Sequence, residues 1–330
     1  MVSLLDRHVQ RQVRRRLLAV VLVCAVAVGC GGGDKPQSQR DATTKPPRSV
    51  GVLAGAGELV DIGGGRSLYL ECVGAGSPTV VLEAGFGGRS HDWAEVQPQL
   101  GATTRTCAYD RAGLGSSLAI PGVHDASDEI TDLHRLLDHA RITPPYVMVG
   151  HSYGGLLVRL FAHAHPDDTA GVVLVDSMGP DQIRREMASW RAQPPALRSR
   201  LPKPDAEPVI DGVDLRAGDT LAAGVTTLGD TPLAVITRGL LADEEQALPT
   251  RARRVIDRLW TTMQDELAAL STNHVHVVAR RSDHFVQRSI SGQPRVVIRA
   301  VRAVVRAARS HTPLPPCQRL FSGTGTRCRS

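Results

Sequence analysis

The part of this 330-residue chain best suited to chemistry is Gly150-His151-Ser152-Tyr153-Gly154-Gly155, which follows the apolar run Tyr146–Val149 and opens a helical pattern. A serine on a sharp strand-to-helix turn exposes its hydroxyl, and so strained a turn needs small residues two positions before and after it. Gly150 and Gly154 meet that need. The helix that follows turns its first backbone N–H groups toward developing negative charge. The chemistry served is acyl transfer by a nucleophilic serine, which requires a base for the hydroxyl, an acid to orient the base and donors for the oxyanion. A bare G-x-S-x-G is a weak signal, so the weight rests on the strand–turn–helix context. Of twelve histidines, His284 stands just after the last β-rich run and before the last helical one. His151, beside the serine, is expected to point away from it at such an elbow. His274 and His276 alternate along a strand without an accompanying carboxylate or cysteine cluster, so no metal is expected there, and an acyl-enzyme mechanism on a serine implies no metal or organic cofactor.

The elements that must position these groups become regular from residue 58. β-rich runs occupy Glu58–Ile62, Ser67–Val73, Thr79–Glu83, Thr104–Tyr109, Tyr146–Val149, Gly171–Val175, Leu233–Thr237 and Val275–Ala279. The first two flank a glycine-rich turn and read as a hairpin. Most later runs are almost continuously apolar, as strands covered on both faces are. Helical periodicity marks Ser127–Arg141, Leu156–Ala164, Arg254–Leu270 and Pro294–Ala308. Alternating strands and helices predict a mostly parallel sheet with helices on both sides. One interval breaks the rhythm: between Asp176 and Thr231 a helical start (Asp181–Arg191) leads into a proline-rich, charged stretch. It is too long for a plain connection and is read as a short helical lid over about 177–230.

Several blocks resemble the α/β-hydrolase superfamily, and they come in its order over residues 58–308: Leu82–Gly88, Tyr109–Ser116, the elbow, Leu174–Ser177 and Ser282–Phe285. The resemblance implies an α/β-hydrolase fold with eight strands ordered 1-2-4-3-5-6-7-8. It implies Ser152 as nucleophile and His284 as general base. For the acid, the commonest family arrangement points to Asp243, after the seventh strand. The minority arrangement points to Asp176, which directly closes an apolar strand and is favoured because rigid structure fixes it. The oxyanion hole is expected from the backbone N–H groups of Phe86 and Tyr153. Relatives often carry His-Gly before Phe86, whereas this chain has Ala84-Gly85. The Asp110–Ser116 turn is expected to be structural, with Gly113 and Gly115 supplying permissive backbone.

The N-terminus reads as an address. Residues 1–29 have a basic start, the apolar run Leu17–Val28 and small residues before Cys30, the layout of a signal peptide. Ala27-Val28-Gly29-Cys30 resembles a bacterial lipobox, which implies acylation of Cys30, and the Arg14–Leu18 stretch resembles a twin-arginine signal. Residues 30–57 lack apolar periodicity and are expected to be a disordered tether. The expected location is the extracytoplasmic face of the cell membrane by a lipid anchor, or secretion without it. Of the six cysteines, Cys72, Cys107, Cys317 and Cys328 remain after the signal and anchor. An even number in an exported chain favours disulfides, with three pairings open. Cys317 and Cys328 are near in sequence, in the Pro/Gly-rich tail 313–330. The family strand order puts Cys72 beside Cys107; the alternative is a pair of buried thiols.

Composition excludes more than it selects. The net charge is +6, but five arginines and one aspartate in the first 29 residues supply four of those charges. A nearly neutral body carries no footprint for nucleic acid. With 42% hydrophobic and 22% charged residues, one globular domain over 58–312 is expected. Aromatic residues are only 3% of the chain, so an apolar pocket is expected to be lined by Leu, Val and Ile. The functional expectation is a serine hydrolase cleaving carboxylic esters, thioesters, lactones or amides, with a small-molecule or lipid ester as substrate and no obligate protein partner. Serine at the elbow argues against the epoxide hydrolases and haloalkane dehalogenases of this superfamily, which use aspartate. The competing class is an inactive, surface-tethered binding protein on a hydrolase scaffold.

Overall fold

The structure is a computed structural model and describes residues 57–204 and 209–329. The signal peptide, Cys30 and almost all of the tether lie outside the described residues. Nine strands form one sheet: β1 (Glu58–Gly63), β2 (Arg66–Val73), β3 (Thr79–Glu83), β4 (Thr106–Tyr109), β5 (Tyr146–His151), β6 (Thr169–Val175), β7 (Leu233–Arg238), β8 (His274–Ala279) and β9 (Arg327–Arg329). Their spatial order is β1-β2-β4-β3-β5-β6-β7-β8-β9. This is the expected eight-strand order with one addition. The run from β4 to β8 is parallel, while β1, β2 and β9 pair antiparallel at the edges. The Pro/Gly-rich tail is not wholly irregular, since β9 pairs with β8, Cys328 opposite Val277. A three-residue Arg-Cys-Arg strand has no apolar alternation by which a sequence could announce it.

The sheet is buried on both faces because its strands alternate between two cores. Val80, Leu82, Val147, Val149, Val173, Val175, Ala234 and Ile236 face one side. Val81, Met148, Val172, Leu174, Leu233 and Val235 face the other. Helix α6 (Pro294–Ser310) covers the first side with Val297, Val301 and Val304 while Arg295, Arg299, Arg306 and Arg309 stay at least partly exposed. Helices α1 (Ala126–His139) and α2 (Tyr153–Ala164) cover the second with Leu133, Leu136, Leu137, Val158 and Phe161. At roughly 25 cal/mol per Å² of apolar surface removed from water, this two-sided burial drives the fold. The start of α1 is set by Asp125, whose carboxylate accepts from the N–H groups of Ser127 and Asp128, the preferred helix cap. Cys72 and Cys107 are opposite each other in the β2–β4 register and at bonding distance, as are Cys317 and Cys328 in the tail.

The described part of the segment at 177–230 carries the helices α3 (Gln182–Arg191) and α4 (Leu215–Ala223). It also holds two-residue strands at Val209–Ile210 and Val213–Asp214, which join His124–Asp125 in a small separate sheet. Strands this short leave no period in the sequence, which is why none is expected there. Met178, Val213, Leu215 and Ala222 pack with Phe86, Tyr153 and Leu156, so the insertion sits over the start of α2. Helix α5 (Thr250–Ala268) lies between β7 and β8 in the chain, with Trp260 on its buried face. Among the described residues no helix is long and apolar enough to cross a membrane.

Candidate active site

Ser152 stands between the end of β5 and the first residue of α2, at φ 54° and ψ −120°. A non-glycine residue in this region is strained and persists only when its surroundings hold it. Its N–H donates to the Val175 carbonyl (3.1 Å), and its own carbonyl accepts from Gly155 (3.0 Å) and Met178 (2.9 Å). The flanking glycines are required by contact. A Cβ on Gly150 would lie 2.3 Å from the Gly154 carbonyl oxygen, and one on Gly154 would lie 2.4 Å from that of Ala84.

His284 lies in the loop between β8 and α6 and is 8% exposed. Its Nδ1 donates to Asp176 Oδ2 at 2.7 Å. Asp176, fully buried at the end of β6, also accepts from the Arg238 N–H (2.9 Å), Trp260 Nε1 (2.8 Å) and Arg238 Nη1 (3.4 Å). Burial pushes its carboxyl up, but the Arg238 charge and the His284 hydrogen bond outweigh that and hold it below the usual carboxylate range. Asp243 is exposed at the start of a short helix, Asp243–Gln246. Of the two acids the sequence leaves open, Asp176 is the one that meets His284.

Two neighbours complete the setting. His151, beside the serine, is buried, and its Nε2 bonds the carbonyl oxygen of His284 at 2.8 Å. Burial, reinforced by nearby His284, holds its imidazole well below the ordinary value, so the ring is neutral, and Nε2 carries the proton and donates. Trp260 sits edge-on to the His284 ring, with centroids 6.1 Å apart, and beneath the Arg238 guanidinium at 4.4 Å. Neither Trp260 nor Arg238 is singled out by the sequence. Arg238 carries one faint signal, a basic residue closing the strand next to the one that Asp176 follows.

The turn after β3 brings Phe86 to the elbow: a Cβ on Gly85 would lie 3.3 Å from that of Ser152. Gly88 N–H closes this turn on the Gly85 carbonyl (3.0 Å), and among the described residues no acceptor takes the Phe86 N–H. Tyr153 is the first residue of α2, a position whose N–H has no partner within the helix. Two free donors thus stand beside Ser152. The Asp110–Ser116 turn is structural, as expected, with Asp110 accepting from the N–H groups of Ser90 (2.7 Å) and Ser116 (2.8 Å). It also inserts Arg111, 4% exposed, beneath the turn that carries Phe86.

Trp260 further lines an apolar cleft with Trp190, Leu201, Leu259 and Met263. Leu201, Val255, Ile256 and Leu259 give the cleft the aliphatic lining expected of it, and two of the three tryptophans of the chain join them, since few aromatics can still be gathered in one place by tertiary packing. His276 is a structural residue, bonded to Thr237 Oγ1 (2.7 Å) and paired with Asp265 (3.1 Å). Among the described residues, only His134, His165 and Asp168 form a group able to hold a metal ion. It lies around the C-terminal end of α2, at the other end of that helix from Ser152, with the two rings stacked at 4.3 Å.

A family model for the α/β hydrolase fold matches residues 78–210. The uncharacterised protein YqjL of Bacillus subtilis is 26% identical over 239 residues, covering 71% of this chain and 86% of its own. An AB hydrolase superfamily protein of Gibberella zeae is 34% identical over 104 residues, which is 30% of this chain and 32% of that one; the match thus spans about a third of its length. Among solved structures, a thermophilic esterase from Thermogutta terrifontis superposes with a TM-score of 0.52 at 19% identity, over 77% of this chain and 99% of that one. The chain has the α/β-hydrolase fold, and its residues 78–210 match the model of that family.

Proposed function

We propose that the protein is a serine hydrolase that cleaves carboxylic esters through an acyl-enzyme on Ser152. The observation that carries this reading is the 2.7 Å hydrogen bond from His284 Nδ1 to a fully buried, ionised Asp176, in a chain whose elbow serine holds a strained conformation. A carboxylate on Nδ1 keeps that nitrogen protonated and leaves Nε2 free to accept a proton, the tautomer a general base needs. Ser152 Oγ attacks the ester carbonyl carbon while its proton passes to His284 Nε2. The carbonyl oxygen becomes an oxyanion that takes hydrogen bonds from the N–H groups of Phe86 and Tyr153. The tetrahedral species collapses, and the departing alcohol takes the proton from His284. Water then attacks the acyl-enzyme, His284 accepts its proton, and the acid leaves as Ser152 regains its hydrogen.

The relatives named above include an esterase and a protein classed as a hydrolase, which agrees with this reading. Export and a lipid anchor on Cys30 belong to the same proposal. Two cysteine pairs at bonding distance support an oxidising, extracytoplasmic location. Mass spectrometry of the protein from its native membrane tests the anchor, since an unmodified residue 30 or an intact residue 1–29 segment would refute it. For the chemistry, the full-length protein is treated with a fluorophosphonate probe beside Ser152→Ala. Labelling that vanishes in the variant supports an activated serine. A well-folded wild type that takes no label defeats the hydrolase reading and favours the binding-protein one.

A further inference from the structure

We propose that Arg111 is a positioning residue for the oxyanion hole, aiming the Phe86 N–H through the carbonyl at the other side of the same peptide bond. The inference rests on the serine-hydrolase reading. The Arg111 guanidinium donates from Nη1 to the carbonyl oxygen of Ala84 and from Nη2 to that of Gly85, both at 2.7 Å. The Gly85 carbonyl and the Phe86 N–H belong to one planar trans unit and point in opposite directions. Holding the carbonyl therefore sets the direction of the N–H. A hydrogen bond to the carbonyl also polarises the amide and strengthens its N–H as a donor. Two successive carbonyls are gripped by the two arms of one rigid fork, which a single ammonium cannot reproduce.

Arg111 is itself locked in place. Glu83 accepts from its Nη1, and the Tyr109 hydroxyl holds the other Glu83 oxygen. On the opposite side, Nε is 3.3 Å from Glu129 Oε1, and Glu129 Oε2 accepts from the Tyr153 hydroxyl at 2.6 Å. The guanidinium carbon lies 5.4 Å from the centre of the Tyr153 ring. One buried cation thus ties together both residues whose N–H groups would form the hole. The Glu83 and Glu129 carboxylates offset its charge, so orientation rather than net charge is what it delivers to the oxyanion.

Arg111→Lys keeps the charge and removes the fork. Full-length protein is titrated with a fluorophosphonate so that rates are counted per active serine, then assayed with p-nitrophenyl butyrate. A trifluoromethyl ketone, whose hemiketal oxygen occupies the oxyanion position, reports the hole directly. Removing one oxyanion donor outright costs about 10²–10³ in kcat, so misaiming one is expected to cost about 10–100-fold at nearly constant KM. The ketone inhibition constant is expected to rise by the same factor. A folded Arg111→Lys enzyme with wild-type kcat overturns the proposal, and so does a fall in kcat with unchanged ketone affinity, which would mark a merely structural role. Should Arg111→Lys fail to fold, Tyr153→Phe decides. It removes the hydroxyl that holds Glu129 but keeps the backbone donor, and a parallel loss in kcat and ketone affinity, of about 3–10-fold, is expected. Unchanged values there overturn the proposal. Wild-type protein that neither takes the probe nor hydrolyses the ester is a different result: it overturns the serine-hydrolase reading, and this proposal with it.

Discussion

Replacing Asp176 by Asn alters the site by almost no volume and tests the logic of the pair it forms with His284. Every group around the Asp176 carboxylate is a donor: the Arg238 N–H and Trp260 Nε1 at Oδ1, and His284 Nδ1 and Arg238 Nη1 at Oδ2. An asparagine has one acceptor oxygen to offer. Placed at the Oδ1 position it satisfies two donors, which leaves the amide NH₂ facing His284. The imidazole must then present an unprotonated Nδ1 and carry its hydrogen on Nε2, where it cannot accept the Ser152 proton. In Ser-His-Asp proteases the same exchange lowers kcat by about 10⁴, equivalent to about 5.5 kcal/mol at about 1.36 kcal/mol per decade. Arg238 also loses the charge that offsets it, and breaking a buried pair costs roughly 3–5 kcal/mol of stability. The assay is kcat/KM for p-nitrophenyl butyrate, counted per folded molecule by calorimetry, with Asp243→Asn as control. A folded Asp176→Asn enzyme retaining most of its activity, or an Asp243→Asn enzyme losing it, would refute the reasoning.

Three further outcomes follow from the same structure. Trp260→Phe keeps the ring beside Arg238 but removes the 2.8 Å bond to Asp176 Oδ1. A hydrogen bond to a charged group is worth about 1.5–3 kcal/mol, so thermal unfolding should show a loss of that order, and an unchanged Tm would count against the bond. Removing Cys72 and Cys107 opens a 35-residue loop, and removing Cys317 and Cys328 an 11-residue one. Chain-entropy arguments put the losses at about 4 and about 3 kcal/mol, read by denaturant unfolding; no loss on removing either pair would argue that it is unbonded. Asp219 caps α3 by accepting from the N–H groups of Gln182 (3.0 Å) and Ile183 (2.8 Å), and burial raises it to about 6 against the pull of those bonds. Because the folded value lies above the ordinary one, its contribution to stability is greatest below about pH 4 and declines, by at most about 1.4 kcal/mol per unit, as pH rises toward 6. Asp219→Asn should flatten that slope in unfolding experiments at several pH values; an identical slope would refute it.

Much of this protein is legible in its sequence because the informative signals are local. Continuous apolar, β-branched runs such as Val172–Val175 fit strands covered on both faces, and the valine stripe of α6 fits a helix with one buried face. The elbow is legible for the same reason, since the glycines at 150 and 154 are demanded by atoms close to them in the chain or in the turn it meets. The resemblance of these ordered motifs to the α/β-hydrolase superfamily then implies the strand order and the roles of Ser152 and His284. What the sequence left open depends on how chain ends converge. Asp176 and Asp243 both lie between the serine and the histidine, so order admits either; only the parallel register of β6, β7 and β8 brings Asp176 to His284 across 108 residues. Trp260 reaches the same carboxylate from a helix 84 residues away, and Arg111 reaches the Gly85 carbonyl from a turn 26 residues on. A buried polar atom must find a partner wherever the fold puts one, and no period or motif in the chain records that choice.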